Sequence, residues 1–343
     1  MKSRQINIKI IGMALLGAML FLLNLLIGSV NIPLADIFTT FFDSKNADGT
    51  ISAIIFQYRL PQAVTASLSG AALAVAGLLM QTLFRNPLAD PTILGISSGA
   101  SLGVALVILL TGNIAGAAVS SLGWWSTIGV SMAAFVGACF VLLLILAISS
   151  RLGSMTTLII AGIMIAYLTG SITDILKFFS QKEDIHAFVI WGMGSFSAVG
   201  NSKIAVYAIC IILGIIVSYL LSNSLNILLI GELYAQNLGL NLKKINVLII
   251  LASGYLTAIV TAYCGPIAFV GLAVPHLARF LFKTSDHRIL IPTTMLVGMA
   301  LTLFCNLVSR LPGFDGNLPI NAVTAFIGAP VVLWVISGKE KNK

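Results

Sequence analysis

From Ala63 to Leu83 the chain runs without a charged side chain. The stiff polar stretch Arg85-Asn86-Pro87-Leu88-Ala89-Asp90-Pro91 follows, and a second apolar run begins at Thr92. An apolar run of about 20 residues is what a helix needs to cross the hydrocarbon of a bilayer. No water is available there to bond the backbone, so each run must close its hydrogen bonds internally, as a helix. Small residues recur in steps of four: Ala66, Gly70 and Ala74 in the first run, Gly95, Gly99 and Gly103 in the second. Such steps fall on one helix face and let neighbouring backbones approach closely. The pattern calls for a tightly packed membrane bundle, not a lone lipid anchor.

Composition agrees. The chain is 58% apolar and 9% charged, where soluble domains carry about 25% charge. Ten apolar spans are expected, at roughly 8–28, 60–84, 93–111, 125–148, 157–178, 203–222, 245–264, 267–283, 288–309 and 319–337. The eighth is short and interrupted by Gly271 and Pro275, so it is expected to be tilted or to span only in part. The first is longer than a signal peptide's apolar core of about 7–15 residues, and is read as an uncleaved span. The net charge of +8 does not form a stripe suited to nucleic acid; the cations sit in the short connections. With the N-terminus placed in the cytoplasm, thirteen of the nineteen Lys and Arg residues fall inside, which favours both termini cytoplasmic. Lys45, Arg59, Lys177, Lys182, Lys203 and Arg310 are left outside.

Several chemistries lack their residues. No G-x-x-x-x-G-K-[ST] phosphate loop and no H-E-x-x-H occur. The four cysteines, Cys139, Cys210, Cys264 and Cys305, all fall within spans and have neither metal-site nor disulfide spacing, so they read as small apolar residues. Ionisable groups deep in the spans are scarce, which argues against a carrier driven by an ion gradient, the main alternative. An intramembrane enzyme would need a catalytic constellation, and Asp174 has no acidic partner within a span. A transporter of this composition must draw its energy from another subunit.

At five blocks in order the chain resembles the FecCD-type permeases of ABC importers for iron–siderophore complexes, haem and cobalamin. The blocks are Arg59-Leu-Pro61 through Gly70-Ala-Ala-Leu-Ala74, Gly77 and Gln81; Arg85 to Pro91 with Leu94-Gly95 and Gly99-Ala-Ser101; Gly231-Glu232, Ala235 and Leu238-Gly239; Gly265-Pro-Ile267, Phe269-Val-Gly-Leu272, Pro275-His276 and Arg279; and Gly328-Ala-Pro330. The resemblance implies an all-α polytopic fold of the type II importer kind, one transmembrane domain over 1–343. It implies a homodimeric permease in the bacterial plasma (inner) membrane, in contact with lipid and not with nucleic acid. Two cytoplasmic ATPases and an extracytoplasmic binding protein would be its partners. No catalytic residue, cofactor or resident metal is implied.

The resemblance also assigns residues, each beside a plainer role. The inner segment 223–244 would couple to the ATPase through Gly231, Glu232, Ala235, Leu238 and Gly239, with the small Ala235 and Gly239 permitting close approach; the plainer role is an amphipathic loop on the membrane surface. Gly231 and Gly239 bracket a short helix as breakers. Arg59 and Arg310 would meet carboxylates of the binding protein, or merely anchor the interface. The family's second arginine after Leu-Pro is Gln62 here, and Asn306 stands where an aspartate is usual, so the docking charge is either smaller or supplied in part by Lys177, Lys182 or Lys203. Met155 and Thr156 would form an inner gate, with Asn321 and Thr324 facing the same pathway. Asp174 and Lys177, three apart, share a helix face and are expected to pair.

Overall fold

The structure, a computed structural model, describes residues 2–28, 30, 32–33, 49–115, 124–151, 155–311 and 317–340. Helix α1 (Lys2–Leu26) is followed by α2 (Gly49–Leu83), which contains a π-helical turn at Ile54–Arg59. Then come α3 (Ile96–Ala115), α4 (Trp124–Arg151), α5 (Met155–Phe178), α6 (Lys182–Gly192) and α7 (Asn201–Leu220). The short α8 (Ser222–Ile230) and α9 (Glu232–Asn237) precede α10 (Leu242–Cys264), α11 (Val270–Phe282), α12 (His287–Ser309) and α13 (Ile320–Glu340). Among the described residues, seven helical stretches are long and apolar enough to cross a membrane, and Ile96–Leu109, Val270–Phe282 and Ile320–Leu333 are shorter apolar helices. The ten apolar runs of the sequence thus correspond to ten helices of the bundle. We call the end where α1 begins the basal face and the end where it finishes the apical face.

Helix α2 is the centre of the fold. From Pro61 to Leu83 only Val64 and Leu68 escape full burial. Its small residues are what allow this. A methyl added at Gly70 would strike the Gly298 carbonyl and the Thr302 hydroxyl of α12, and one at Gly77 would strike the Gly271 backbone of α11. Polar side chains then bond across the close crossings. The Thr302 hydroxyl donates to the Ala66 carbonyl at 2.7 Å, and Ser253 of α10 donates to the Ala76 carbonyl at 3.0 Å. The second small-residue set works likewise: Gly99 and Gly103 of α3 lie against the Gly137 and Ala133 backbone of α4.

Helix α11 has 13 residues, about 20 Å at 1.5 Å per residue, too short for a hydrocarbon core of about 30 Å. Gly265–Phe269 enters it as irregular backbone from the apical side. Pro275 stays within the helix rather than ending it, so the expected interruption comes from the shortness of the helix. Helix α6 on the apical side was not foreseen; its run is too polar to stand out as a span. Lys177 bonds Asp174 at 3.1 Å as expected and also lies 5.1 Å over the Phe188 ring of α6. The expected outer cation Lys45 is outside the described residues.

Candidate functional site

Two places carry the candidate residues, one on each face. The basal one is built by α8 and α9. Gly231 separates them with φ +127° and ψ 150°, a conformation for which a side chain is strained. Helix α9 then ends in a paired cap: Leu240 N–H bonds the Ala235 carbonyl at 3.0 Å and Gly239 N–H bonds the Gln236 carbonyl at 2.9 Å. This six-to-one and five-to-two arrangement needs a left-handed residue, supplied by Gly239 at φ +82°. The bracketed helix expected from the sequence is therefore formed, with the two glycines as its hinges. It displays Leu233 (77% exposed), Tyr234 and Leu238, an exposed apolar ridge on the basal face.

Ala235 is on the other side of that helix and fully buried against its own chain. Its smallness serves internal packing, so close approach by a partner falls to Gly239, which has nothing within 4 Å of a built side-chain carbon. Glu232 sits 3.7 Å from Arg85 in the turn after α2, with both side chains about half exposed. The same turn is held to α11, where His276 Nε2 donates to the Pro87 carbonyl at 2.6 Å. Arg279 donates to Gln81 Oε1 at 2.6 Å, and Gln81 donates to the Leu272 carbonyl at 3.1 Å. His276 is thus a packing residue, held by a hydrogen bond. Among the described residues no group of three His, Cys, Asp or Glu side chains is placed to hold a metal.

The apical place surrounds the end of α1. A helix end leaves its last carbonyls without partners, and here each is accounted for. Leu23 O accepts from Ile27 N–H, Asn24 O from Arg310 at 3.0 Å, and Leu25 O and Leu26 O from Arg59 at 2.9 and 2.7 Å. Arg59 also donates to Val30 O at 2.6 Å. Both guanidiniums also favour the negative end of the α1 dipole. Arg310 reaches on to Asn24 Oδ1 at 2.9 Å and Gln62 Oε1 at 3.0 Å. Gln62 donates to Asn306 Oδ1, and Asn306 donates back to Asn24 Oδ1.

The substitutions noted in the sequence, Gln62 and Asn306, are therefore members of one buried network of neutral amides around a cation. Arg59, at the π-helical turn within α2, and Arg310, just past α12, both lie on the apical side, but they are only 3% and 4% exposed. They line a cavity of about 460 Å³ together with Val30, Ile54, Gln57, Tyr58, Val199 and Asn317. Their Nη donors are taken up by the end of α1, Val30 and Gln62, and Arg310 Nε is buried without a partner, so neither projects from the surface as a free charge.

The remaining candidates are not gathered into one site. Thr156 is exposed on the first turn of α5 at the basal face. Met155 begins that helix, and its side chain is outside the described residues. Asn321 accepts the Ala268 N–H at 3.0 Å, satisfying the irregular backbone before α11, and Thr324 is buried and donates to the Asn321 carbonyl. In this chain both serve packing at the apical end of α13. The sequence reading missed Asn24 and Asn226, two amides in otherwise apolar runs. A polar group in such a setting needs a partner, and that was the available signal.

The comparisons with known proteins concern the whole chain. The model of the FecCD transport family matches residues 15–338. The vitamin B12 import system permease protein BtuC of Klebsiella pneumoniae is 34% identical over 283 residues, 82% of each chain. That of Salmonella typhi is 35% identical over 285 residues, 82% of this chain and 83% of the relative. An inward-facing structure of a metal-chelate type ABC transporter superposes with a TM-score of 0.82 at 31% identity, covering 96% of this chain and 98% of the other. PsaBC from Streptococcus pneumoniae shares the fold with a TM-score of 0.52 at 16% identity.

Proposed function

Given that the chain belongs to the FecCD transport family, and so is a multi-pass inner-membrane permease of an ABC importer rather than an enzyme, we propose that it carries a metal chelate inward. The chelate is an iron–siderophore, haem or cobalamin. The relatives' substrates, vitamin B12 in one group and a metal chelate in the other, support this class. The basal face is cytoplasmic, in keeping with the bias of Lys and Arg toward that side. Two ATPases bind there and an apical binding protein delivers the ligand.

The single observation that carries the coupling role is the α9 ridge. A six-residue helix held out between two positive-φ glycines, presenting Leu233, Tyr234 and Leu238, has the form of a ball for an apolar socket on another protein. Gly231, Glu232, Leu238 and Gly239 shape that ridge, and Ala235 seats it on its own bundle.

A second copy of the chain completes the pathway. Helix α5 leaves Tyr167, Leu168, Ser171 and Asp174 exposed along one spanning helix. An exposed carboxylate on a membrane helix belongs beside water, which a pathway between two copies supplies. Thr156 at the basal end of the same helix suits an inner gate, with Met155 beside it, while Asn321 and Thr324 hold the frame at the apical end. The binding protein docks over the cavity lined by Arg59 and Arg310. The test is co-expression with ABC ATPases and reconstitution with binding proteins loaded with ferric siderophore, haem or cobalamin. Stimulation of ATP hydrolysis by one loaded protein names the substrate; a folded permease that recruits no ATPase contradicts the reading.

A further inference from the structure

The coupling ridge must be attached to the spans it moves. Among its polar attachments, two involving side chains on both sides differ in strength. One is the Glu232–Arg85 pair, 3.7 Å apart and about half exposed on both sides, a geometry that contributes little in water. The other lies one turn before Gly231, on α8, where Asn226 is partly buried. Asn226 Oδ1 accepts both the backbone N–H and the ring Nδ1–H of His287, each at 2.8 Å, and its Nδ2 donates to Asp286 Oδ1 at 2.7 Å. One amide thereby grips the first turn of α12 at three atoms. On the same face of α8, three residues earlier, Asn223 Oδ1 accepts from Arg288 Nε at 2.8 Å.

The junction extends to the centre of the fold. His287 Nε2 lies 2.9 Å from the hydroxyl of Thr82, in the last turn of α2 at its basal end. Side chains of α8, α12 and α2 thus meet around one imidazole whose two ring nitrogens are both engaged. Helix α8 has nine residues, and a helix so short has no stable direction of its own. Its orientation, and with it that of α9, is set by these contacts. Helices α2 and α12 are also the pair locked at Gly70 and Gly298, so a displacement at His287 acts on a rigid unit and is not absorbed locally.

We propose that Asn226 is the positioning residue that passes movement of the coupling ridge to α12 and α2, so that α8, α9, α2 and α12 travel as one body. This rests on the importer reading. Spatial continuity alone does not establish coupling, which must be measured as a change in the equilibrium both ends share.

The test uses the full permease–ATPase complex in lipid vesicles, with uptake of cyanocobalamin or a ferric hydroxamate, whichever the wild-type complex carries. Three quantities are read: ATPase retained on the purified permease, ATP hydrolysed, and uptake per ATP. Asn226→Ala removes all three bonds. Asn226→Asp sets a carboxylate against Asp286. The exchange Asn226→Asp with Asp286→Asn keeps the two bonds to His287 and re-forms the 2.7 Å contact with donor and acceptor reversed, giving up only the Arg288 N–H bond to Asp286 Oδ1. We expect both single changes to keep the ATPase bound and hydrolysing while uptake per ATP falls about tenfold, and the exchange to recover it to within about twofold. Unchanged uptake per ATP in Asn226→Ala, or loss of the ATPase from that variant, would overturn the proposal: the first means the junction passes nothing, the second that it only shapes the docking surface. A wild-type permease that binds no ATPase would instead refute the importer reading.

Discussion

Asn24 stands in an apolar run and is fully buried, yet its amide is matched: Nδ2 donates to the Leu20 and Leu303 carbonyls, and Oδ1 accepts from Asn306 and Arg310. Buried amides and cations of this kind hold only while every partner is present. Arg310→Ala should therefore leave Gln62 Oε1 and two Asn24 oxygens short of a donor, and lower stability by about 1–3 kcal/mol; thermal unfolding of the purified permease in detergent measures it. Arg59→Glu with Arg310→Glu would set carboxylates against the α1 carbonyls and should do worse, by about 3–5 kcal/mol. A double variant that unfolds like the parent would show that the two arginines do not hold α1. On the basal face, the Asn226 amide and the Arg288 N–H hold the Asp286 carboxyl below the usual carboxylate range. A depressed carboxyl stabilises fully above its unfolded value of about 3.9, and this is lost only as pH falls through the lower folded value. Uptake per ATP should then be flat around neutral pH, and a decline there in the parent but not in Asp286→Asn would contradict the assignment.

The elements divide into those that pack and those that protrude. In α2 the spacing Ala66, Gly70, Ala74 was readable as a close-contact face, and the structure places α12 against it. Gly70→Leu or Gly77→Leu forces a side chain into a neighbouring backbone and should cost at least about 1–3 kcal/mol, seen as a lowered unfolding midpoint and poor membrane yield. In α9 the prediction reverses. Gly239→Trp meets open space, so its penalty is limited to the left-handed backbone, about 1–2 kcal/mol, while the ATPase should no longer co-purify and uptake should vanish. Normal transport in that variant would remove α9 from the coupling role. The brackets of α9 were legible because glycine has few other reasons to flank so short a polar stretch. The direction of Ala235 was not, because a six-residue helix carries too little periodicity to say which side is buried. Helix α6 was missed for a related reason: its polar first turn, Lys182-Glu183-Asp184, hides a helix that never crosses the bilayer.

For the molecule entire, apolar run length fixed the ten helices, since hydrocarbon leaves a chain no other backbone structure. It could not fix which faces meet, and this decided the fate of the candidate sites. Arg59 and Arg310 are far apart in sequence and look like independent surface cations; only the fold reveals that both end on the last turn of α1. Asn321 likewise turns out to accept a backbone N–H of the irregular entry to α11, and Thr324 bonds the Asn321 carbonyl within α13. Of the candidate residues, Glu232, Leu238 and Gly239 around α9 on the basal face and Thr156 at the start of α5 remain exposed; we propose the first group for the ATPase contact. The central claim is that an ATPase grips the first of these and a loaded binding protein is sensed from the opposite face. ATP hydrolysis by the permease–ATPase complex in lipid vesicles, with and without binding protein loaded with ferric siderophore, haem or cobalamin, tests it most directly. The account predicts a stable complex whose hydrolysis rises with one loaded protein; a folded permease that binds no ABC ATPase would contradict it.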